Sequence, residues 1–134
     1  IGPASREHTA VAISKDGTIV CTELWDGKQS QLTVFRVEYG ADVFETTIDE
    51  CGSFVCNKDS KCPCRDVVIV GPFVVTVDSL GRMMGWHALR QTLEWIFDGD
   101  SKGRIITDVA VSGNQLAAFD GEKFTVIDFA SAVF

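Results

Sequence analysis

The stretch ITDVAVSGNQLAAFDGEKFTVIDFAS, Ile106 to Ser131, decides the fold. It holds three short apolar runs separated by two tight-turn signals. Asp108 to Ser112 alternates toward an apolar face, Gly113-Asn114 turns the chain, and Leu116 to Phe119 forms the second run. Asp120-Gly121 turns it again before Phe124 to Phe129. A Gly-containing dipeptide between alternating apolar segments is the strongest local hairpin signal, because tight hairpin turns need a residue at positive φ. Two hairpins in a row make an antiparallel meander. A lone meander is marginal in water, so this one must stack on others.

Working outward, the same grammar recurs. Thr9 to Ser14 (TAVAIS) alternates and Lys15-Asp16-Gly17 turns. Thr18 to Leu24 and Gln31 to Val37 are further strands, separated by Trp25-Asp26-Gly27-Lys28, and Val43 to Ile48 is read as a fourth. Strands at this spacing with intervening turns are the mark of a sandwich, barrel or propeller. Aligning Val11-Ala12-Ile13-Ser14, Val68-Ile69-Val70-Gly71 and Val109-Ala110-Val111-Ser112 shows a repeat with offsets of 57 and 41 residues. The second offset matches the usual period of a four-stranded propeller blade, and the first exceeds it by about the length of a cysteine-rich insert. His87 to Phe97 has some helical spacing, but its neighbours repeat, so Leu93 to Phe97 is assigned as the outer strand of the second blade.

The segments SKDGTIVCTELWDGKQSQLTVFRV and SGNQLAAFDGEKFTVIDFAS resemble the WD40 family, following its strand, turn, strand layout. Where that family carries a Trp-Asp dipeptide, this chain has Phe35-Arg36, Trp86-His87 and Ile127-Asp128, and His8 stands too close to the first strand to serve as the family's Gly-His histidine. HTAVAISKDGTIV and VVTVDSLGRMMGWH also resemble RCC1-type repeats, another propeller. The resemblance implies an all-β chain of about three antiparallel four-stranded blades and a role as an assembly scaffold. The expected division is a first blade over residues 1–50, an insert over 51–65, a second blade over 66–100 and a third, incomplete blade over 101–134. Propellers close with about four to eight blades. The ring is therefore expected to be incomplete within this chain, and to be completed by further sequence, another subunit or copies of the chain.

Composition bounds the function. The 134 residues suffice for one domain with a real core, and the 46% hydrophobic fraction argues against disorder. Twelve Lys and Arg face nineteen Asp and Glu, giving a net charge of −7 and disfavouring nucleic acid as a partner. No apolar run approaches the roughly 18 residues that span a bilayer as a helix. The chain opens on Ile1 and not Met, so a processed product, a trimmed chain or a piece of something longer is expected.

The unusual chemistry lies in DECGSFVCNKDSKCPCRD. Cys51, Cys56, Cys62 and Cys64 allow two disulfides in three pairings, of which Cys62 to Cys64 is disfavoured by the intervening Pro63. Four thiolates can instead hold one zinc ion tetrahedrally, with Lys58, Lys61 and Arg65 offsetting their charge, although the spacing lacks a Cys-x2-Cys knuckle. Free thiols in a surface loop are the third reading. Cys21, inside a strand, reads as a small buried apolar residue.

Catalytic signals are sparse. With only His8 and His87 present, no nucleophile, histidine and carboxylate set stands out, and His87 beside Trp86 reads as a packed residue. Gly81 to Gly85 lacks the spacing and the Lys of a phosphate loop. Asp98 and Asp100 flank Gly99 but lack the later glutamate of a calcium loop, so a solvated turn is read there. Trp25, Trp86 and Trp95 read as core, with a sugar or peptide pocket as the other use. Two function classes follow: a non-enzymatic protein-interaction scaffold within a larger propeller or complex, or a secreted, lectin-like ligand-binding propeller with disulfide-stapled loops.

Overall fold

The computed structural model describes residues 7–25, 29–42, 45–55, 64–78, 81–97 and 105–129. They form eleven strands and no α-helix. The first sheet contains β1 (Glu7–Ile13), β2 (Ile19–Trp25), β3 (Ser30–Glu38) and β4 (Thr47–Val55), in that spatial order. The second contains β5 (Cys64–Val70), β6 (Phe73–Asp78), β7 (Met83–His87) and β8 (Leu93–Phe97), again in order. The third is a three-stranded meander of β9 (Asp108–Ser112), β10 (Gln115–Phe119) and β11 (Phe124–Asp128). Every pairing is antiparallel between sequence neighbours, the topology that short turns permit. The first strands of the three sheets lie beside one another, β1 against β5 and β5 against β9.

Sheets stack because alternate residues of each strand share a face. On β2 the buried positions Ile19, Cys21 and Glu23 alternate with half-buried ones, and Leu32 and Val34 of β3 continue that face. These side chains meet Val67, Ile69 and Val74 of the second sheet in one core. The opposite face of the second sheet, with Val75, Val77 and Met83, meets Leu116 and Ala118 of the third in a second core. The middle sheet is buried on both faces, so β6 reads as a nearly continuous apolar run and not as an alternation.

Buried polar groups tie the sheets together. The fully buried Glu23 accepts the backbone N–H of Cys64 on Oε2 at 2.8 Å, and Ser30 Oγ accepts the same N–H at 3.2 Å. The adjacent Arg65 donates from Nη2 to the carbonyl of Ile106 at 2.8 Å. One dipeptide at the start of the middle sheet thus bonds to both of its neighbours. Between the second and third sheets Phe73, Trp95 and Phe129 form an aromatic cluster, with Trp95 stacked on Phe129 at 6.0 Å.

The turns carry the expected chemistry. Gly17 has φ of 76°, beside Asp16, whose Oδ1 accepts from Thr18 Oγ1 at 2.7 Å, Ser14 Oγ at 2.9 Å and the Thr18 backbone at 3.0 Å. Asp120 Oδ1 likewise accepts the N–H groups of Glu122 and Lys123.

Two strand assignments need correction. The fourth strand runs over Thr47–Val55 and not from Val43 to Ile48, so Cys51 lies within a strand where the sequence placed the insert. Cys64 likewise opens β5. The reason is that β4 is an outer edge strand, exposed along most of its length, and lacks the apolar alternation by which strands are recognised.

Candidate functional site

The end sheets and the boundary between the first two sheets hold the features that can engage another molecule. On the free face of the first sheet, pairing aligns Ile13 with Val20 and Phe35, and Val11 with Thr22 and Thr33. Val11 is 70% exposed and Ile13 59%. On the free face of the third sheet, Phe119 pairs with Phe124 and Ala117 with Val126. Phe124 is 73% exposed and Val126 54%. The stack therefore exposes large apolar side chains on each end face, whereas its two inner interfaces hold buried cores.

Between the first two sheets lies a cleft of about 650 Å³. Ser53, Phe54 and Val55 of β4 form one side. Arg82, Met84 and Trp86 lie at and along β7, and Gln91, Thr92, Leu93 and Ile96 complete the lining from the following turn and β8. Phe54 and Trp86 make an aromatic pair across the sheets, with ring centroids 4.9 Å apart, and Trp86 is fixed by its Nε1–H donating to Thr76 Oγ1 at 3.2 Å. Pairing shifts register at Val34/Phe35, next to Gly52 on β4, and at Gly85/Trp86 on β7. Such bulges re-aim side chains. Here they flank the cleft.

The turn from β7 to β8 is built on His87. Its carbonyl accepts the backbone N–H of Gln91 at 2.7 Å, its N–H donates to Thr92 O at 2.9 Å, and its Nδ1 accepts from Arg90 N at 3.2 Å. His87 is buried, with its Nε2 lacking a hydrogen-bond partner among the described residues. Gln91 is held at φ of 60°, the one non-glycine residue at positive φ among the described residues. Its side-chain Nε2 is buried without a hydrogen-bond partner among them. Arg82 Nε lies 3.4 Å from Asp78 Oδ2, an ion pair at the wall of the cleft. A second, more open hollow of about 400 Å³ follows β1, β5 and β9 and is lined by Val11, Ile13, Val67, Ile69 and Val111 among others.

The cysteines do not converge as far as the structure describes them. Cys51 is exposed on β4, Cys64 is buried in the core between the first two sheets, and no disulfide joins any two of Cys21, Cys51 and Cys64. Cys56 and Cys62 lie outside the described residues, as do Asp98 and Asp100. Among the described residues no three His, Cys, Asp or Glu side chains are placed to hold a metal ion. Of the three tryptophans, Trp86 lines the cleft, Trp95 packs between the second and third sheets, and Trp25 ends β2. Sequence reasoning missed Gln91, whose φ no residue type announces. The signal at hand was the tight connection between the two strands.

No family model matches this chain, and no curated relative matches it. Among solved structures, Hsv2 from Kluyvelomyces marxianus is similar at 12% identity with a TM-score of 0.60, covering 96% of this chain and 35% of that one. BamB from Moraxella catarrhalis is similar at 14% identity with a TM-score of 0.56, covering 92% of this chain and 34% of that one. Both are β-propellers, the former of WD40 type, and this chain spans about a third of the length of each. The fold is accordingly that of consecutive β-propeller blades whose ring is not closed.

Proposed function

We propose that this chain is a non-enzymatic protein-interaction scaffold, one arc of a larger β-propeller or multi-subunit assembly. The observation that carries the reading is the pair of apolar faces ending the stack, Val11 and Ile13 on one side and Phe124 and Val126 on the other. Contiguous exposed apolar surface of this kind marks contact with other polypeptide. The two inner interfaces show what covers such a face in this fold, namely another sheet. Further blades, from the same polypeptide, from another subunit or from a second copy, would bury both ends and close the ring. The short strands and their loops then form a rigid support for recognition. The net charge of −7 favours protein over nucleic acid as the partner.

The test is to substitute Phe124→Asp and compare association with the unmodified protein by sedimentation velocity. Loss of the larger species with unchanged β-sheet circular dichroism is the expected result. Unchanged association would contradict the assignment of this face to blade completion.

A further inference from the structure

We infer that the cleft between the first and second sheets binds an extended peptide segment of a partner protein, one that inserts a large aliphatic or aromatic side chain and places a carboxylate beside it. The inference rests on the reading of the chain as an interaction module and names where and what it binds.

Gln91 is the starting observation. A non-glycine residue at φ of 60° is a backbone conformation that a protein keeps only where its surroundings enforce it, and such residues cluster at ligand sites. Here the enforcement comes from His87, whose carbonyl holds the Gln91 N–H at 2.7 Å. The result is a carboxamide lining the cleft with Nε2 buried and without a partner among the described residues. A buried donor left without an acceptor calls for an explanation, and a ligand acceptor supplies one when the carboxamide, packed against Gly52, turns into the cleft. A carboxamide carries both a donor and an acceptor, the same complement as a peptide bond.

The rest of the cleft selects the ligand class. Its volume of about 650 Å³ lies within the usual range of ligand pockets. Phe54 and Trp86 form an aromatic wall, and Leu93 and Ile96, 42% and 49% exposed, form an apolar lip. Such a lining suits an apolar side chain. A sugar would leave most of its hydroxyls facing carbon, which costs binding energy. Among the described residues Arg82 is the one charged residue of the lining, in a protein of net charge −7. Asp78 Oδ2 lies 3.4 Å from its Nε, and because a guanidinium carries five N–H donors in a fork, one such contact leaves donors for a ligand carboxylate. Glu94, the acidic residue beside Leu93 on β8, is not part of the lining and accepts from Thr92 Oγ1 at 2.9 Å. Finally, among the described residues β4 and β8 are the outer strands of their sheets, each paired on one side, and an edge strand is where an extended peptide docks.

The test uses the full chain and a pool of capped, fluorescein-labelled hexapeptides with Leu, Ile or Phe next to Glu, read by fluorescence anisotropy. Control pools replace Glu by Lys or the apolar residue by Ser, and a labelled oligosaccharide pool serves as the other class. The expected result is saturable binding of the first pool alone, with a shift of the Gln91 side-chain amide resonances. Gln91→Gly suits the backbone conformation and removes the carboxamide, and should weaken binding about tenfold, the equivalent of one or two hydrogen bonds. Leu93→Ser, at an exposed position, should weaken it similarly without unfolding the sheet. Absence of saturable binding, binding of the oligosaccharide pool instead, or equal affinity in both variants would overturn the inference. Native mass measured on the same samples separates the two readings. Normal assembly without peptide binding overturns the cleft alone, and a closed monomer that binds peptide overturns the ring alone.

Discussion

Gly52 and Gln91 meet across the boundary between the first two sheets: a Cβ built on Gly52 would stand 2.7 Å from Gln91 Nε2 and 2.8 Å from its Oε1. Gly52 also has φ of 143°, which side-chain-bearing residues rarely adopt. Gly52→Ala is therefore expected to cost about 1–3 kcal/mol from the backbone alone. Because the clashing atoms are the end of a flexible side chain, Gln91 would swing aside and not break the sheet. Chemical denaturation checks the first effect, and the Gln91 amide resonances check the second.

Glu23 anchors the first sheet to the second through a single buried carboxyl, with Cys64 N–H donating to it at 2.8 Å. Glu23→Ala deletes a fully buried polar group and leaves Ser30 Oγ, at 3.2 Å, to hold that N–H. The expected loss is about 2–4 kcal/mol, read as a lower urea midpoint. Glu23→Gln keeps an acceptor at the same reach and should lose less than half as much.

Asp16 supplies a pH dependence. Hydrogen bonds from the Thr18 side chain, the Thr18 backbone and Ser14 favour its charged form and hold its pKa below the usual aspartate value. A depressed folded-state pKa means that the unfolded chain binds the proton more readily. The stabilisation is thus full above the ordinary value of 3.8 and is lost as pH falls through the lower, folded one. Asp16→Ala should reduce stability at neutral pH by about 0.5–1 kcal/mol, since the site is largely exposed. It should also flatten the acid limb below about pH 4. Denaturation midpoints between pH 2 and 6 would show both.

What the sequence makes legible follows from burial. The repeated runs at Val11, Val68 and Val109 fall on β1, β5 and β9, and Leu93 to Phe97 is β8, the strand its repeating neighbours indicated. Two-sided burial explains why the second sheet was readable from apolar runs alone. The fourth strand was misplaced because exposed edge positions such as Ile48 and Asp49 follow no apolar alternation. Of the cleft only Trp86 was legible, through the pocket given as its other use. The cleft's residues come from two sheets, its bulges shift register by one residue, and the feature that marks it is a backbone angle at Gln91. Trp86, read as a core residue, does both jobs: it packs against the core of the first two sheets and walls the cleft. The zinc and disulfide readings turn on Cys56 and Cys62, which lie outside the described residues.

The central claim, that this arc is closed into a ring by other polypeptide, is tested most directly by native mass spectrometry of the particle isolated from its source, with the denatured intact mass beside it. The account predicts a folded particle whose total polypeptide accommodates at least four blades, in one longer chain, in several subunits or in copies of this one. A stable particle containing only these 134 residues, with Phe124 and Ile13 protected from solvent, would contradict it.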